Sequence, residues 1–170
     1  MTNDNTNPAL NVLFLCTHNS ARSILAEALL NHLGNGKFKG FSAGSSPREN
    51  QRPNPLGLQV LGHAGVSTAG LHSKSWDDFA LPGAPTMDLI ITVCDNAAGE
   101  VCPYWPGQPA TAHWSYADPS AGDAPDAQKL VAFKQTMLAI KRRIELLISL
   151  PPDKLQTVAL QASARGLAQS

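Results

Sequence analysis

Short apolar runs alternate with longer amphipathic segments along the chain, and this pattern predicts strands that alternate with helices. The predicted strands cover residues 12–15, 38–43, 87–93 and 111–114. The predicted helices cover residues 21–33, 56–63, 73–79, 126–150 and 153–169. Because the runs at 12–15 and 87–93 are apolar without interruption, they predict buried strands of a parallel sheet. The sequence therefore predicts an α/β fold with a largely parallel sheet.

The helix predicted at 126–150 has the clearest periodicity. Its apolar residues recur at steps of three and four, which is typical of a helix with one buried face. These residues are Leu130, Phe133, Met137, Ile140, Ile144 and Leu147. The helix at 21–33 is expected to end at Gly34. The residues of this helix expected to face the sheet are Ile24, Ala28 and Leu29.

The composition excludes several classes of protein. Thirteen basic residues balance thirteen acidic residues, and this zero net charge argues against a general nucleic-acid binder, which would carry a basic face. No apolar run approaches the roughly 20 residues of a membrane span, so we expect no membrane association. The polar start of the chain has no signal-peptide core, so we expect a cytoplasmic protein. At 170 residues the chain has the length of one domain, with residues 1–10 and 152–170 at its periphery.

The turn after the first predicted strand carries the strongest chemical signal. Cys16 and Arg22 enclose five residues there, and the predicted helix begins inside this motif. Successive backbone N–H groups in such a loop form an anion-binding nest, and the helix N-terminus adds positive potential. The residues expected to surround an oxyanion are Thr17, His18, Asn19, Ser20, Ala21 and Arg22.

Four side chains in this motif have predicted roles. Arg22 can hold two oxygens of a tetrahedral oxyanion. The positive potential is expected to lower the pKa of Cys16 and to make its thiolate a nucleophile. Ser23 can donate a hydrogen bond to that thiolate, and Asn19 can brace the loop through its amide. The alternative is a buried cysteine at a strand end beside an unrelated surface arginine, which the position between strand and helix disfavours.

The segment from Cys16 to Ser23 resembles the phosphate-binding loop of the low-molecular-weight protein tyrosine phosphatase family. It looks most like the arsenate reductases built on that phosphatase fold. The resemblance runs from around Asn11 through the helix at 126–150. It implies three layers, with a four-stranded parallel sheet flanked by helices on both faces.

The resemblance implies that the aspartate of an Asp-Pro pair on a late loop is the general acid, and Asp118-Pro119 is the pair in that region. From spacing alone, an ordinary turn residue before proline is an equal alternative for Asp118. Tyrosine phosphatases of the family usually follow this pair with aromatic residues that line the substrate cleft. Here Ser120, Ala121 and Gly122 follow, which disfavours a phosphotyrosine substrate.

Two further cysteines favour a reductase over a plain phosphatase. Cys94 closes the third predicted strand at the same sheet edge as Cys16, and seven residues separate it from Cys102. This segment resembles the redox segment of the phosphatase-fold arsenate reductases, whose thioredoxin-linked members have a slightly shorter gap. In one alternative, Cys94 is a small buried hydrophobic residue and Cys102 an incidental thiol. In another, both bind zinc with His113, but the spacing matches no structural zinc pattern, and we expect no bound metal.

The resemblance implies a relay of three cysteines. Arsenate binds in the loop, Cys16 attacks the arsenic atom, and Asp118 helps a water leave. Cys94 then attacks the sulfur of Cys16, arsenite leaves, and Cys102 moves the disulfide toward the surface. An external thiol reductant, either thioredoxin or glutathione with glutaredoxin, reduces this disulfide, and no cofactor is bound.

Some family members bind a potassium ion beside the loop. They use oxygens at positions resembling Asn19, Glu27 and Ser42 here, and they add an acidic residue from the region of Ser73 and Lys74. This chain has a lysine there, and its ammonium can take the place of the cation. We therefore expect no potassium requirement.

Three classes of function stay open at this point. The leading one is an arsenate reductase. The second is a low-molecular-weight phosphatase that hydrolyses phosphotyrosine or a small phosphoester through a phosphocysteine at Cys16. The third is a non-catalytic domain that binds an oxyanion or senses redox state. Dependence on Cys94 separates the first class from the second, and turnover separates both from the third.

Overall fold

The computed structural model describes residues 9–94 and 110–150, and the fold is built on a four-stranded sheet. The strands are β1 Leu10–Cys16, β2 Phe38–Gly44, β3 Leu89–Thr92 and β4 Ala110–His113. Their spatial order is β2-β1-β3-β4, and each neighbouring pair runs parallel. The predicted α/β fold with a four-stranded parallel sheet is confirmed.

β1 and β3 are the two central strands, and their carboxyl ends lie side by side. Leu15 of β1 pairs with Thr92 of β3. Cys16 follows the first of these residues directly, and Cys94 follows the second by two positions. The sheet therefore brings two thiols from distant parts of the sequence to one edge.

β3 is shorter than the strand predicted at 87–93. Asp88 accepts the Asn11 N–H with its carboxylate at 2.8 Å, where a longer ladder would use a backbone carbonyl. The strand therefore begins at Leu89. At its other end the Val93 N–H still donates to the Leu15 carbonyl at 2.8 Å, so the chain stays beside β1 as it approaches the second thiol.

Three α-helices and a short 3-10 helix complete the described fold. They are α1 Arg22–Leu33, α2 Pro55–His63 and α3 Asp126–Ile148, with the 3-10 helix at Trp76–Phe79. α1 lies against β1 and β2 and contacts both α2 and α3, which also contact each other. Gly57 permits a close approach of α2 to α3, because a Cβ at this position would lie 3.3 Å from the Phe133 ring.

The helix predicted at 73–79 is only a single 3-10 turn at Trp76–Phe79. The predicted cap is present, since the Ser75 hydroxyl accepts the Asp77 N–H at 3.1 Å. The two residues before the cap instead hydrogen-bond to Asn19 in the loop after β1. These contacts hold the chain in a non-helical conformation up to the cap.

α1 is buried around more of its circumference than the predicted single face. The sheet covers one side of the helix, and α2 and α3 cover other parts of it. Gly34 caps its C-terminus, as predicted. The buried residues of α1 are Ser23, Ile24, Leu25, Ala26, Ala28, Leu29 and Leu30.

The core is one cluster formed by residues of the strands, of α1 and of the buried face of α3. Phe14 of β1 and Trp114 after β4 are fully buried, with ring centroids 6.2 Å apart. All but one of the apolar residues predicted for the face of α3 are buried, and Leu130 is partly buried. Within residues 9–94 and 110–150, no helix has both the length and the apolar character needed to cross a membrane.

Some predictions fall outside the described residues. These are the loop at 95–109 with Cys102, and the helix at 153–169. The boundaries of the predicted single domain, with peripheral segments at 1–10 and 152–170, also stay a prediction.

Candidate active site

The loop between β1 and α1 is built around the Asn19 side chain. Asn19 is fully buried and has a left-handed backbone conformation, with φ of 57°. Its amide nitrogen donates to Ser23 Oγ at 2.8 Å, and its amide oxygen accepts the Lys74 N–H at 2.9 Å. Its backbone carbonyl accepts a hydrogen bond from the Ser73 hydroxyl at 2.6 Å. Asn19 therefore braces the loop and fixes it to the segment before the 3-10 helix.

The end of β2 lies directly against the same loop. A Cβ on Gly44 would lie 2.7 Å from the Thr17 carbonyl oxygen and 2.9 Å from the His18 carbonyl carbon. The next residue, Ser45, donates its N–H to the Cys16 carbonyl at 3.0 Å. Because both neighbours of this Cβ position are backbone atoms, the absence of a side chain allows the close contact between β2 and the loop.

The Cys16 thiol is buried at the carboxyl end of β1. Its Sγ lies 3.0 Å from Ser23 Oγ. Since Asn19 already donates to that oxygen, the Ser23 hydroxyl can direct its own hydrogen toward the sulfur. A hydrogen bond of this kind favours the thiolate form of Cys16.

A second buried thiol, that of Cys94, lies beside Cys16. The two side chains are close enough to interact directly. The Thr17 hydroxyl of the loop lies 3.5 Å from Cys94 Sγ. Neither of these two cysteines is in a disulfide. The structure therefore brings the nucleophilic position and a second thiol together.

The proximity of the two thiols reverses the predicted direction of the Cys16 pKa. The interaction with Cys94 and the burial of the thiol raise the pKa of Cys16 well above its ordinary value, and the hydrogen bond with Ser23 offsets only part of this rise. The sequence predicts a lowered pKa, and this prediction is wrong for the reduced protein. The physical reason is that a low dielectric disfavours an anion and that, once one of two adjacent thiols has ionised, its charge opposes ionisation of the other.

Arg22 is the first residue of α1, and its guanidinium reaches across the pocket above Cys16. One nitrogen, Nη1, donates to the Tyr116 carbonyl at 2.8 Å, and Nη2 lies 3.8 Å from Asp118 Oδ2. The Nε atom is buried and has no hydrogen-bond partner among the described residues. Arg22 is therefore held in place beside the pocket that it lines.

Asp118 faces Arg22 from the loop between β4 and α3. Its Oδ1 accepts the Ser120 N–H at 2.9 Å and the Ser120 hydroxyl at 2.7 Å. Burial raises the pKa of Asp118, but the two hydrogen bonds from Ser120 and the charges of Arg22 and His18 outweigh this, so the pKa is lowered overall. The side chain is thus a carboxylate at neutral pH in the ligand-free protein, and it forms part of a local turn.

These residues surround a pocket of about 560 Å³. The part of it formed by the oxyanion loop is lined by Cys16, Thr17, His18, Ser20, Ala21 and Arg22. Asn19 and Ser23, by contrast, support the loop from behind. Ser120 and Ala121 line the pocket where phosphatases of this type are expected to have aromatic residues.

One wall of this pocket was not predicted from the sequence. Arg48, Gln51, Arg52 and Asn54 line it from the polar loop that follows β2. A signal was present in the sequence, because this loop leaves the same carboxyl edge of the sheet as Cys16 and carries two arginines. The path of this proline-containing loop cannot be predicted from its starting point alone, so the sequence did not show that the two arginines line the pocket.

Lys74 lies in a small polar cluster beneath the loop. Its ammonium donates to the backbone carbonyls of Ser42 at 3.0 Å and His72 at 2.8 Å, and it lies 3.8 Å from the Glu27 carboxylate. Burial lowers the pKa of Lys74, and the nearby carboxylates of Glu27 and Asp78 offset part of this shift. The ammonium therefore interacts with two of the groups that were expected to surround a cation.

No group of three or more His, Cys, Asp or Glu side chains that could hold a metal ion occurs in residues 9–94 and 110–150. His113, the histidine considered for a zinc site, has its Nδ1 atom 2.7 Å from the Thr92 hydroxyl. Cys102 lies outside the described residues, so its position relative to Cys94 stays a prediction.

A cysteine and an arginine on a loop between a central parallel strand and a helix, with an aspartate facing them, define an α/β protein with a cysteine-based oxyanion pocket. The family model for low molecular weight phosphotyrosine protein phosphatases matches residues 11–161. The chain belongs to this family, and the predicted resemblance is confirmed.

Two curated relatives and one solved structure that are similar to this chain are named as arsenate reductases. An arsenate reductase of Halalkalibacterium halodurans is 31% identical over 134 residues, which cover 79% of this chain and 91% of that protein. A protein of Synechocystis sp. named glutaredoxin arsenate reductase is 30% identical over 138 residues, covering 81% of this chain and 95% of that protein. A solved arsenate reductase in a phosphate-binding state has a TM-score of 0.65 and 29% identity, and the alignment covers 82% of this chain and 97% of that structure.

Proposed function

We propose that this protein is an arsenate reductase that works through Cys16 and Cys94. The observation that carries this proposal is the buried Cys94 thiol beside the Cys16 thiol, where a hydrolase would need no second cysteine. The names of the similar proteins, arsenate reductase and glutaredoxin arsenate reductase, support the same function.

Arsenate enters the pocket as a tetrahedral oxyanion. The backbone N–H groups of residues 17–22 and the guanidinium of Arg22 bind its oxygens. The oxyanion competes with Asp118 for Arg22, which lies 3.8 Å from that carboxylate in the ligand-free protein. Added negative charge raises the pKa of a nearby carboxyl group, so arsenate binding favours the protonated form of Asp118.

The first chemical step forms a bond between sulfur and arsenic. The Cys16 thiolate attacks arsenic, and one arsenate oxygen leaves as water. Asp118 gives the proton that this oxygen needs, a general-acid role that typically contributes ~100- to 10,000-fold. Arsenic stays in the pentavalent state in this step, since the sulfur displaces an oxygen and no electrons are transferred.

The second step transfers two electrons. The Cys94 thiolate attacks the sulfur of Cys16, a disulfide forms, and the bond between sulfur and arsenic breaks. The electron pair of that bond stays on arsenic, which leaves as trivalent arsenite. Two cysteines are oxidised and one arsenic atom is reduced, so the step is balanced.

An external thiol reductant then restores the protein. In the proposed sequence, Cys102 attacks Cys94, which frees Cys16 and leaves a disulfide between Cys94 and Cys102. Thioredoxin, or glutathione with glutaredoxin, reduces that disulfide by thiol exchange. No bound cofactor takes part in this sequence. The cytoplasmic location and the absence of a potassium requirement stay predictions.

The second candidate is hydrolysis of a phosphoester through the same loop. Membership of a phosphatase family favours it, and Asp118 faces Arg22 as a general acid would. No Phe, Tyr or Trp side chain among the described residues lines the pocket, which disfavours phosphotyrosine. Hydrolysis of an artificial phosphate ester would not separate the two functions, because the shared loop can support it.

The deciding experiment measures arsenate-dependent NADPH oxidation in the presence of thioredoxin and thioredoxin reductase. We expect turnover by the wild type and none by a Cys94→Ser variant. A Cys102→Ser variant tests the last thiol of the relay. We expect it to lose turnover with thioredoxin, and turnover by it would remove Cys102 from that route. If the wild type shows no turnover here or with glutathione and glutaredoxin, the reductase proposal is overturned in favour of the phosphatase.

A further inference from the structure

The pocket above Cys16 is larger than one oxyanion requires. A volume of about 560 Å³ lies in the range of pockets that enclose a whole drug-sized ligand, whereas arsenate is a single tetrahedral group. Arg22 and the oxyanion loop occupy one end of the pocket, and Arg48 and Arg52 line a wall outside that loop. The proposed reaction of arsenate uses the end with Arg22 and gives no role to the wall with Arg48 and Arg52.

A defined turn presents these two arginines. The Gln51 N–H donates to the Arg48 carbonyl at 2.9 Å, and Asn50 has a left-handed conformation with φ of 60°, which asparagine tolerates. The Asn54 N–H donates to the Ser20 carbonyl at 2.8 Å, so the segment is tied to the oxyanion loop. The backbone that carries both arginines therefore has a fixed position relative to the oxyanion loop.

The charges on this wall are not neutralised by the described protein. Arg48 and Arg52 are exposed, and neither forms an ion pair with residues 9–94 or 110–150. The carboxylate in the pocket, Asp118, lies beside Arg22 instead. Free guanidinium groups on a polar wall suit carboxylates of a ligand, with which arginine forms paired hydrogen bonds.

We infer that Arg48 and Arg52 form a subsite for the carboxylates of a low-molecular-weight thiol that reacts with Cys16. The inference rests on the proposed function, which passes through a disulfide between Cys16 and Cys94, and it gives the external thiol a route to that disulfide before Cys102 has attacked it. Of these two sulfur-bearing residues, Cys16 lines the pocket and Cys94 does not. Once arsenite has left, the pocket is open to such a thiol, and its sulfur reaches Cys16.

The reaction at this subsite is a pair of thiol exchanges. The first thiolate attacks the Cys16 sulfur, forms a mixed disulfide with it and breaks its bond to Cys94, which leaves as a thiolate and takes up a proton. A second thiolate attacks the ligand sulfur of the mixed disulfide and releases Cys16 as a thiolate. Two small thiols are oxidised to one disulfide, and the protein disulfide is reduced without Cys102.

The test uses the reverse exchange, which does not depend on arsenate chemistry. In the full chain with Cys94→Ser and Cys102→Ser, Cys16 is the remaining cysteine. It reacts with glutathione disulfide to give a mixed disulfide and one free glutathione, and mass spectrometry gives the rate constant. Hydroxyethyl disulfide, which has no charge, is measured in parallel. The ratio of the two rate constants is the readout, because a change in the Cys16 pKa affects both.

We expect the double substitution Arg48→Gln and Arg52→Gln to lower this ratio about tenfold at low ionic strength, as expected for two exposed charge contacts. Arg142→Gln is the matched control, because Arg142 is exposed on α3 and does not line the pocket. An unchanged ratio in the double variant, or an equal fall in the control, overturns the subsite. A selective fall in the ratio, combined with no arsenate turnover by the wild type, supports the subsite and overturns the proposed function.

Discussion

At the scale of single residues, Cys94 changes the ionisation of Cys16. The neighbouring thiol raises the Cys16 pKa more than any other group does, while Ser23 acts in the opposite direction. Burial adds to the rise because a low dielectric disfavours the charged form. The reactivity of Cys16 therefore depends on the balance between Cys94, which raises its pKa, and Ser23, which lowers it.

Removing the Cys94 thiol should lower the Cys16 pKa. In a Cys102→Ser background, a Cys94→Ala variant loses the largest contribution that raises this pKa, so more thiolate is present at a given pH. The pH midpoint of alkylation by iodoacetamide should then shift to lower pH. Ser23→Ala should shift the midpoint in the opposite direction, and a midpoint that stays constant in both variants would contradict the assignment.

Gly44→Ala should destabilise the protein because its new Cβ would lie 2.7 Å from the Thr17 carbonyl oxygen. Backbone atoms cannot move aside as a flexible side chain does, and overpacking of this kind costs about 1–3 kcal/mol. Gly62→Ala in α2 is the matched control, since nothing lies within 4 Å of its added Cβ. There the same change should stabilise the helix by about 0.5–1 kcal/mol. Urea unfolding measures both, and equal effects would refute the packing argument.

At the scale of elements, α3 supports the loop between β4 and α3 that carries Asp118. The Arg143 guanidinium of α3 lies over the Tyr116 ring, 5.2 Å from its centroid. The backbone carbonyl of Tyr116 in turn accepts the hydrogen bond from Arg22 at 2.8 Å. Two residues later the same segment carries Asp118. A contact on a surface helix thus fixes both charged groups that face the oxyanion.

Arg143→Ala should raise the KM for arsenate about fivefold, the effect of losing one partly buried cation–π contact of about 1 kcal/mol. Arg142→Ala removes the same charge from the neighbouring exposed position and should leave KM unchanged. Arg143→Lys keeps a cation over the ring and should restore much of the affinity. If both alanine variants show the same KM, Arg143 has no positioning role.

The elements themselves were largely predictable from the sequence. The apolar runs identified all four strands, and the apolar spacing identified α3, because burial dominates those segments. The helix predicted at 73–79 was wrong beyond one turn, since long-range hydrogen bonds to Asn19 outweigh local preference there. The Arg48 and Arg52 wall and the direction of the Cys16 pKa were not predictable, because both depend on distances between segments far apart in sequence.

At the scale of the whole molecule, the oxyanion loop joins most of the described fold. It connects β1 to α1, contacts the end of β2 at Gly44, and holds the segment at Ser73 and Lys74 through Asn19. A ligand binds this loop only while these elements are together, because the unfolded chain has no such loop. Oxyanion binding should therefore be linked to global unfolding.

Inorganic phosphate should stabilise the whole protein by mass action. At a phosphate concentration of about 100 times its Kd, we expect a gain of about 2.7 kcal/mol in the free energy of unfolding. Urea denaturation with and without phosphate measures this gain. Arg22→Ala should lose most of it and Arg142→Ala should keep it, whereas a gain of equal size in both variants would place the bound phosphate elsewhere.

The pairing of β1 with β3 gives the reaction a mechanical consequence. A disulfide between Cys16 and Cys94 would close a covalent ring across the middle of the sheet and restrict the unfolded chain. For a ring of this size, chain entropy corresponds to about 4.5 kcal/mol of added stability. Each turnover would then raise the stability of the protein while this disulfide exists and lower it again when the disulfide is broken. In a Cys102→Ser variant, where the disulfide cannot pass on to Cys102, the arsenate-oxidised form should therefore resist urea more than the reduced form, so that resistance to unfolding reports the redox state of the site.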